Sequence, residues 1–256
     1  ILTPAAERGS GMVKRAETFA RQHGAFLARQ FDNEANPAFH RNTTGPEILL
    51  DFAGRRFDWF VTGWGTGGTL TGAGEMIRLA RPEVRIVLTE PDTASLVAGA
   101  EWKPHKIQGW TPDFVPAVLN PKVAHEIIPV SELQSRDTAR ALAQQEGIFV
   151  GITSGATFAG AVEMAKTAHK GANILAMLPD TGERYLSTPL FDDVAVDMTP
   201  EEDAISKSSP VQVSAAVGMR FLAGARRWLR GGPGKRTSGA VVAPVSARHD
   251  ADHTFP

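Results

Sequence analysis

From Phe57 onward, hydrophobic and polar positions fall into blocks that alternate in kind. Phe57 to Thr62 is an apolar run. Leu70 to Ala80 repeats its apolar residues at helical spacing, and Val84 to Thr89 is apolar again. Strand signals return at Glu126 to Val130, Ile148 to Val150 and Asn173 to Leu178, with helix signals over 132–145 and 157–168. The strand runs are continuous and rich in Val and Ile, as when both faces of a sheet are covered. Strands that alternate with helices predict an α/β fold, a twisted and mostly parallel sheet flanked by helices. Ser131 with Gln134 reads as a capping box for the helix at 132, and Gly147 reads as its C-terminal stop.

The flanks are less regular. Leu2-Thr3-Pro4 reads as a strand end, and Gly11 to His23 has helical spacing with Gly24 as its stop. Ala25 to Ala28 is a short strand candidate, and Gln30 to Asn36 is polar and turn-rich. Thr43 to Glu47, with Pro46 near the first helical position, predicts a helix whose apolar body is Ile48 to Phe52. Pro91 to Val123 is irregular. Beyond Phe191 the chain turns acidic through Asp203, with a linker signature at Ser206 to Pro210. Val213 to Arg230 has an amphipathic stripe interrupted by Gly218, Arg220 and Gly224, and the last 25 residues are rich in Gly, Pro, Ser and Arg, a disorder signature.

At 256 residues and 42% hydrophobic the chain can bury a full core. It contains no cysteine, which excludes disulfides, thiolate metal sites and a cysteine nucleophile. No apolar run reaches membrane-spanning length and no signal-peptide core is present, so a cytoplasmic location is expected. The net charge of −1 combines an acidic body with a basic tail over 211–256. The body predicts no nucleic-acid partner. The tail reads as a membrane-surface or partner-binding helix, or as an extension without a selected role; its interruptions favour the second. The first residue is Ile1 rather than Met, from which a piece of a longer chain is expected.

The candidate chemistry centres on Gly63-Trp64-Gly65-Thr66-Gly67-Gly68-Thr69, between a strand and a helix. Such a turn presents backbone N–H groups and the positive end of a helix dipole to a phosphate. Gly63-x-Gly65-x-x-Gly68 with Glu90 closing the next strand matches a dinucleotide fingerprint. Thr66 and Thr69 instead add hydroxyls suited to one terminal phosphate, and Pro91 stiffens the segment that would curve around a ribose. A tight turn without any ligand is the third reading.

Further stretches bring in a resemblance. Gly147-Ile148-Phe149-Val150-Gly151-Ile152-Thr153-Ser154-Gly155-Ala156 is similar to the EGI-x-VGISSGA segment of cysteine synthases. Pro179 to Thr188 resembles their P-x-x-GERYLST segment. Gln30-Phe31-Asp32-Asn33 through Thr43-Thr44-Gly45-Pro46-Glu47-Ile48 resembles QF-x-NPAN…H-x-x-TTGPEI. With Gly65 to Thr69 these occur in family order over about residues 1–207. The resemblance implies a fold-type II enzyme using pyridoxal 5′-phosphate, in which Gly65, Thr66, Gly67, Gly68 and Thr69 hold the phosphate. It implies that Thr153 faces the pyridine nitrogen and that Gln30 helps hold the substrate carboxylate. It also implies cysteine formation from O-acetylserine and sulfide, a homodimer at full length, and docking of the C-terminal peptide of serine acetyltransferase. The domain expectation is a remnant of a smaller N-terminal domain over 1–45, a larger cofactor-phosphate domain over 46–207, and a basic tail over 208–256.

Two departures qualify it. The family's G-x-G-x-GF-[IV]-P turn appears as Gly109-Trp110-Thr111-Pro112-Asp113-Phe114-Val115-Pro116, with Thr111 and Asp113 in place of glycines. This leaves open cystathionine β-synthase-like chemistry, or sulfhydrylation of a phosphorylated serine. The family's Schiff-base lysine lies in an S/N-x-K-D-R segment upstream of where this chain begins, and none of Lys14, Lys103, Lys106, Lys122, Lys166, Lys170, Lys207 and Lys235 has that context. No catalytic base is therefore assigned within this chain, and its activity alone is expected to be nil. A non-catalytic docking module is the reading from a different class.

Overall fold

The computed structural model describes residues 2–208. The chain divides into two compact units, Ile1–Ala195 and Val196–Pro256.

The first unit opens with α1 (Arg8–His23), α2 (Ala35–Asn42) and α3 (Thr44–Asp51). There follow β1 (Trp59–Gly63), α4 (Gly68–Ala80), β2 (Arg85–Pro91), β3 (Glu126–Val130), α5 (Glu132–Glu146), α6 (Ile152–Thr167) and β4 (Ile174–Ala176). Among the described residues the strands form one four-stranded sheet in the order β3-β2-β1-β4, with every pairing parallel. Trp59 lies opposite Arg85 on one side and Ile174 on the other, and Val87 lies opposite Glu126.

Both faces of the sheet are apolar because successive strand side chains point to opposite sides. Val61, Val87 and Ile128 pack beneath α5 and α6 with Leu142, Ala156 and Met164. Phe60, Ile86 and Leu88 pack on the other face with Leu70, Ala73 and Ile77 of α4 and Ile48 of α3. This arrangement accounts for the continuous apolar runs in the sequence.

Local signals hold where they are self-contained. Gly24 ends α1 at φ 60° and Gly147 ends α5 at φ 69°, both left-handed. At the start of α5, Ser131 Oγ accepts from the Gln134 N–H (3.1 Å), and Gln134 Oε1 accepts from the Ser131 N–H (2.9 Å).

Other expectations change. Ala25 to Ala28 is not a strand; it has no ladder partner, and Phe26 is 91% exposed. Leu2 to Pro4 is not a strand end but leads into a 3-10 turn over Ala5–Glu7. Ile148 to Val150 contributes one antiparallel bridge, Val150 to Thr181, rather than a parallel strand. The turn-rich stretch after Gln30 gives way to α2 at Ala35. The helix expected from 157 begins at Ile152, which puts Thr153 in its first turn.

In the second unit, α7 (Pro200–Ser208) replaces the end of the expected acidic turn region. Thr199 Oγ1 accepts from the Glu202 N–H (3.2 Å), and Glu202 Oε2 accepts from the Thr199 N–H (2.8 Å). The stripe at 213–230 lies outside the described residues. Among those residues no helix is long and apolar enough to cross a membrane.

Candidate active site

In the strand order, the chain leaves β1 toward β2 and β3 on one side, while β4 lies on the other. The crevice beyond the carboxyl ends of β1 and β4 is therefore the switch point at which parallel sheets bind ligands. A cavity of about 230 Å³ lies there. Thr62, Gly63, Gly65 and Thr69 line it from the β1–α4 turn, Met177, Pro179, Asp180 and Tyr185 from the chain beyond β4, and Thr153 from α6.

The turn has little room for side chains. Gly67, at φ 90°, precedes α4 in a left-handed conformation and gives the helix no side-chain cap. A Cβ on Gly65 would stand 2.3 Å from the Gly109 carbonyl oxygen. The first turn of α4 thus receives no cap from Gly67, and Thr69 of that turn lines the cavity.

The threonine hydroxyls are held from behind. Asn36 Nδ2 donates to Thr66 Oγ1 (2.9 Å) and to the Gln30 carbonyl (2.8 Å). The Gly68 N–H also donates to Thr66 Oγ1 (3.3 Å). His40 Nε2 meets Thr69 Oγ1 at 3.4 Å, and His40 Nδ1 meets Thr44 Oγ1 at 2.9 Å. Burial holds the His40 pKa below its ordinary value, which favours the neutral ring.

Glu90 serves a different purpose from the one its spacing predicts. It is 0% exposed and accepts from Trp64 Nε1 (2.9 Å) and from the N–H groups of Val97 (3.0 Å) and Ala98 (3.1 Å). No carboxylate oxygen is left to face a ribose, and the dinucleotide reading falls with it.

At the opposite wall Asp180 reaches the first turn of α6. Its carboxylate accepts from the Thr153 N–H (3.1 Å), the Ser154 N–H (2.8 Å) and the Ser154 hydroxyl. Burial, then the charge of Asp180 and a hydrogen bond with it, raise the Tyr185 pKa far above its ordinary value and keep the phenol neutral. Thr153 is buried, and among the described residues its hydroxyl has no hydrogen-bond partner.

The mouth segment carries Thr111 and Asp113, which stand in place of the family's glycines. Thr111 has φ 35°, a conformation costly for a β-branched residue, and its N–H donates to the Trp64 carbonyl (3.0 Å). Its own carbonyl accepts from Trp102 Nε1 (2.9 Å). Asp113 accepts from the Ser10 N–H (2.9 Å) and hydroxyl (2.5 Å), which ties the mouth to the start of α1. Burial opposes ionisation of Asp113, but hydrogen bonds from the Ser10 hydroxyl and N–H and from the backbone of Asp113 and Gly9 together lower the pKa.

Of the residues expected from sequence, Gly65, Thr69 and Thr153 line one cavity, with Thr66, Gly67 and Gly68 in the same turn. Gln30 does not line it; the link is indirect, through its carbonyl and Asn36. Asn36, His40, Trp110, Asp180 and Tyr185 were not singled out from sequence. Asp180 and Tyr185 stand in the P-x-x-GERY stretch and His40 at the head of H-x-x-TTGPEI, and those motifs were the available signal.

Residues 6–180 match the family described as pyridoxal-phosphate dependent enzyme. The chain is 58% identical over 187 residues to O-ureido-L-serine synthase of Streptomyces lavendulae, covering 73% of this chain and 57% of that protein. It is 43% identical over 195 residues to cysteine synthase of Staphylococcus aureus strain Mu50, covering 75% and 63%. A crystal structure of O-ureido-L-serine synthase superposes with TM-score 0.75 at 53% identity, covering 81% of this chain and 65% of that one. Cysteine synthase of Entamoeba histolytica gives 0.69 at 32%, covering 78% and 59%. The chain thus spans less than two thirds of the length of these relatives.

Proposed function

The chain belongs to the family of pyridoxal-phosphate dependent enzymes, of the cysteine synthase type, and from that premise we propose that it serves β-replacement on an O-activated serine. The observation that carries the reading is the meeting of the Gly65–Thr69 turn and Thr153 in one cavity. The donor set fits pyridoxal 5′-phosphate: backbone N–H groups and threonine hydroxyls at a helix N-terminus for the phosphate, and one neutral hydroxyl across the cavity for the ring nitrogen.

When bound, the cofactor supplies the electron sink that makes the substrate Cα–H acidic. A neutral hydroxyl at Thr153 leaves the ring nitrogen largely unprotonated, which moderates the sink and favours replacement at Cβ over transamination. In the net reaction the bond from Cβ to acetate breaks, a bond from Cβ to the nucleophile forms, and the Cα proton is removed and returned. Sulfide gives cysteine from O-acetylserine. A second reading has the oxygen of a hydroxyurea as nucleophile, giving O-ureidoserine. The higher identity to O-ureido-L-serine synthase, 58% against 43%, supports it.

Among the residues lining the cavity there is no lysine. The 256-residue chain is therefore expected to bind pyridoxal phosphate, quenching the fluorescence of Trp110 in the cavity wall, and to form no product from O-acetylserine with sulfide or hydroxyurea. Absence of quenching at saturation would sink the cofactor reading. Robust product formation by this chain alone would sink the assignment of the base to an S/N-x-K-D-R lysine.

A further inference from the structure

We propose that Asp180 is a positioning residue for the cofactor ring: its carboxylate clamps the first turn of α6 and so holds the Thr153 hydroxyl toward the pyridine nitrogen. The proposal rests on the cofactor reading above and goes beyond it, because Asp180 itself need not touch the cofactor.

An ordinary helix N-terminus is capped by the side chain just before it. The residue before α6 is Gly151, which has none, and no side chain of its own caps the helix. The cap comes from the far side of β4. Asp180 Oδ2 accepts from the Thr153 N–H (3.1 Å) and Oδ1 from the Ser154 N–H (2.8 Å), while the Asp180 N–H donates back to Ser154 Oγ (3.3 Å). A carboxylate here also meets the positive end of the helix dipole. The fit is close on all sides. A Cβ on Gly151 would lie 2.2 Å from Asp180 Oδ2 and 2.3 Å from the Tyr185 ring. Tyr185 closes the slot from the cavity side with its ring.

This clamp decides between two adjacent hydroxyls. Asp180 consumes the Ser154 hydroxyl together with both backbone donors. Of the two hydroxyls in the first turn of α6, that of Thr153 is the one left for a ligand. Thr157 Oγ1 donates to the Thr153 carbonyl (3.0 Å) and anchors the same residue from the helix side.

The test titrates pyridoxal phosphate into the purified chain and its variants. Trp110 fluorescence gives the affinity, the absorption maximum of the bound ring reports the Thr153 end, and phosphorus-31 resonance reports the phosphate end. Asp180→Ala is expected to weaken binding about tenfold, the equivalent of one lost hydrogen bond to the ring. Thr153→Ala should do the same, and the double variant should be no weaker than either single. All three should shift the absorption maximum alike and leave the phosphorus resonance in place. Asp180→Asn, which keeps one acceptor oxygen, should fall between, and it decides the matter if Asp180→Ala does not fold by far-ultraviolet circular dichroism. Ser154→Ala should bind nearly as the parent. Losses that multiply in the double variant, or parental affinity and spectrum in both Asp180 variants, would overturn the proposal. So would a displaced phosphorus resonance, which would assign Asp180 a general folding role. A parent chain that binds no cofactor would instead overturn the reading on which the proposal stands.

Discussion

Glu90 combines two opposing energies in one side chain. Its burial raises the carboxyl pKa, while the Val97 N–H, the Trp64 indole and the Ala98 N–H lower it; the net shift is upward. The sign follows from linkage. Between the unfolded value, about 4.3, and the higher folded value, the folded chain retains a proton that the unfolded chain has released. This contribution therefore falls as pH rises through that window and stays lost above it. Glu90→Gln should show a flatter stability profile than the parent in urea melts over this window; parallel profiles would refute the shift. Glu90→Ala strands three donors in the core and should cost about 2–4 kcal/mol. The role of Glu90 was not legible in sequence because its spacing fits a ribose partner equally well, and only burial tells the two apart. The same holds for Asn36 and Asp180, whose partners Thr66 and Thr153 lie far along the chain. The Gly65–Thr69 turn and Thr153 were legible because their motifs are contiguous.

At the level of elements, α5 was readable almost to the residue because both of its end signals are local. Ser131→Ala should cost about 1 kcal/mol by removing the acceptor for the Gln134 N–H; a thermal melt unchanged from the parent would show that the box is not contributing. α6 was read five residues short because nothing beside Gly151 resembles a cap. The strands at Ala25 to Ala28 and Ile148 to Val150 failed for the converse reason. Each has apolar residues, but a strand exists only with a neighbour, and the sheet edge offers them none. Helix ends written in consecutive residues are visible in sequence, whereas partners supplied by distant segments are not.

Across the whole molecule, the parallel sheet and its two apolar faces follow from the blocks of Val and Ile, and the ligand cavity follows from the strand order rather than from any one motif. The remote cap on α6 also constrains the order in which this cavity is built. The first turn of α6 precedes β4 in the chain, yet its backbone donors find their acceptor only once β4 has docked beside β1 and carried Asp180 past it. A partly folded chain that has everything up to residue 170 lacks this acceptor for the Thr153 and Ser154 N–H groups. Closing the sheet and finishing the ring end of the cavity become a single cooperative step. In native-state hydrogen exchange the amides of Thr153 and Ser154 should open with those of β4 and at the same free energy, not with the remainder of α6; separate opening of the two would contradict it. A nascent chain would then acquire its phosphate turn long before its ring pocket, so the cofactor could be recognised first by its phosphate and gripped at the ring only when synthesis has passed β4.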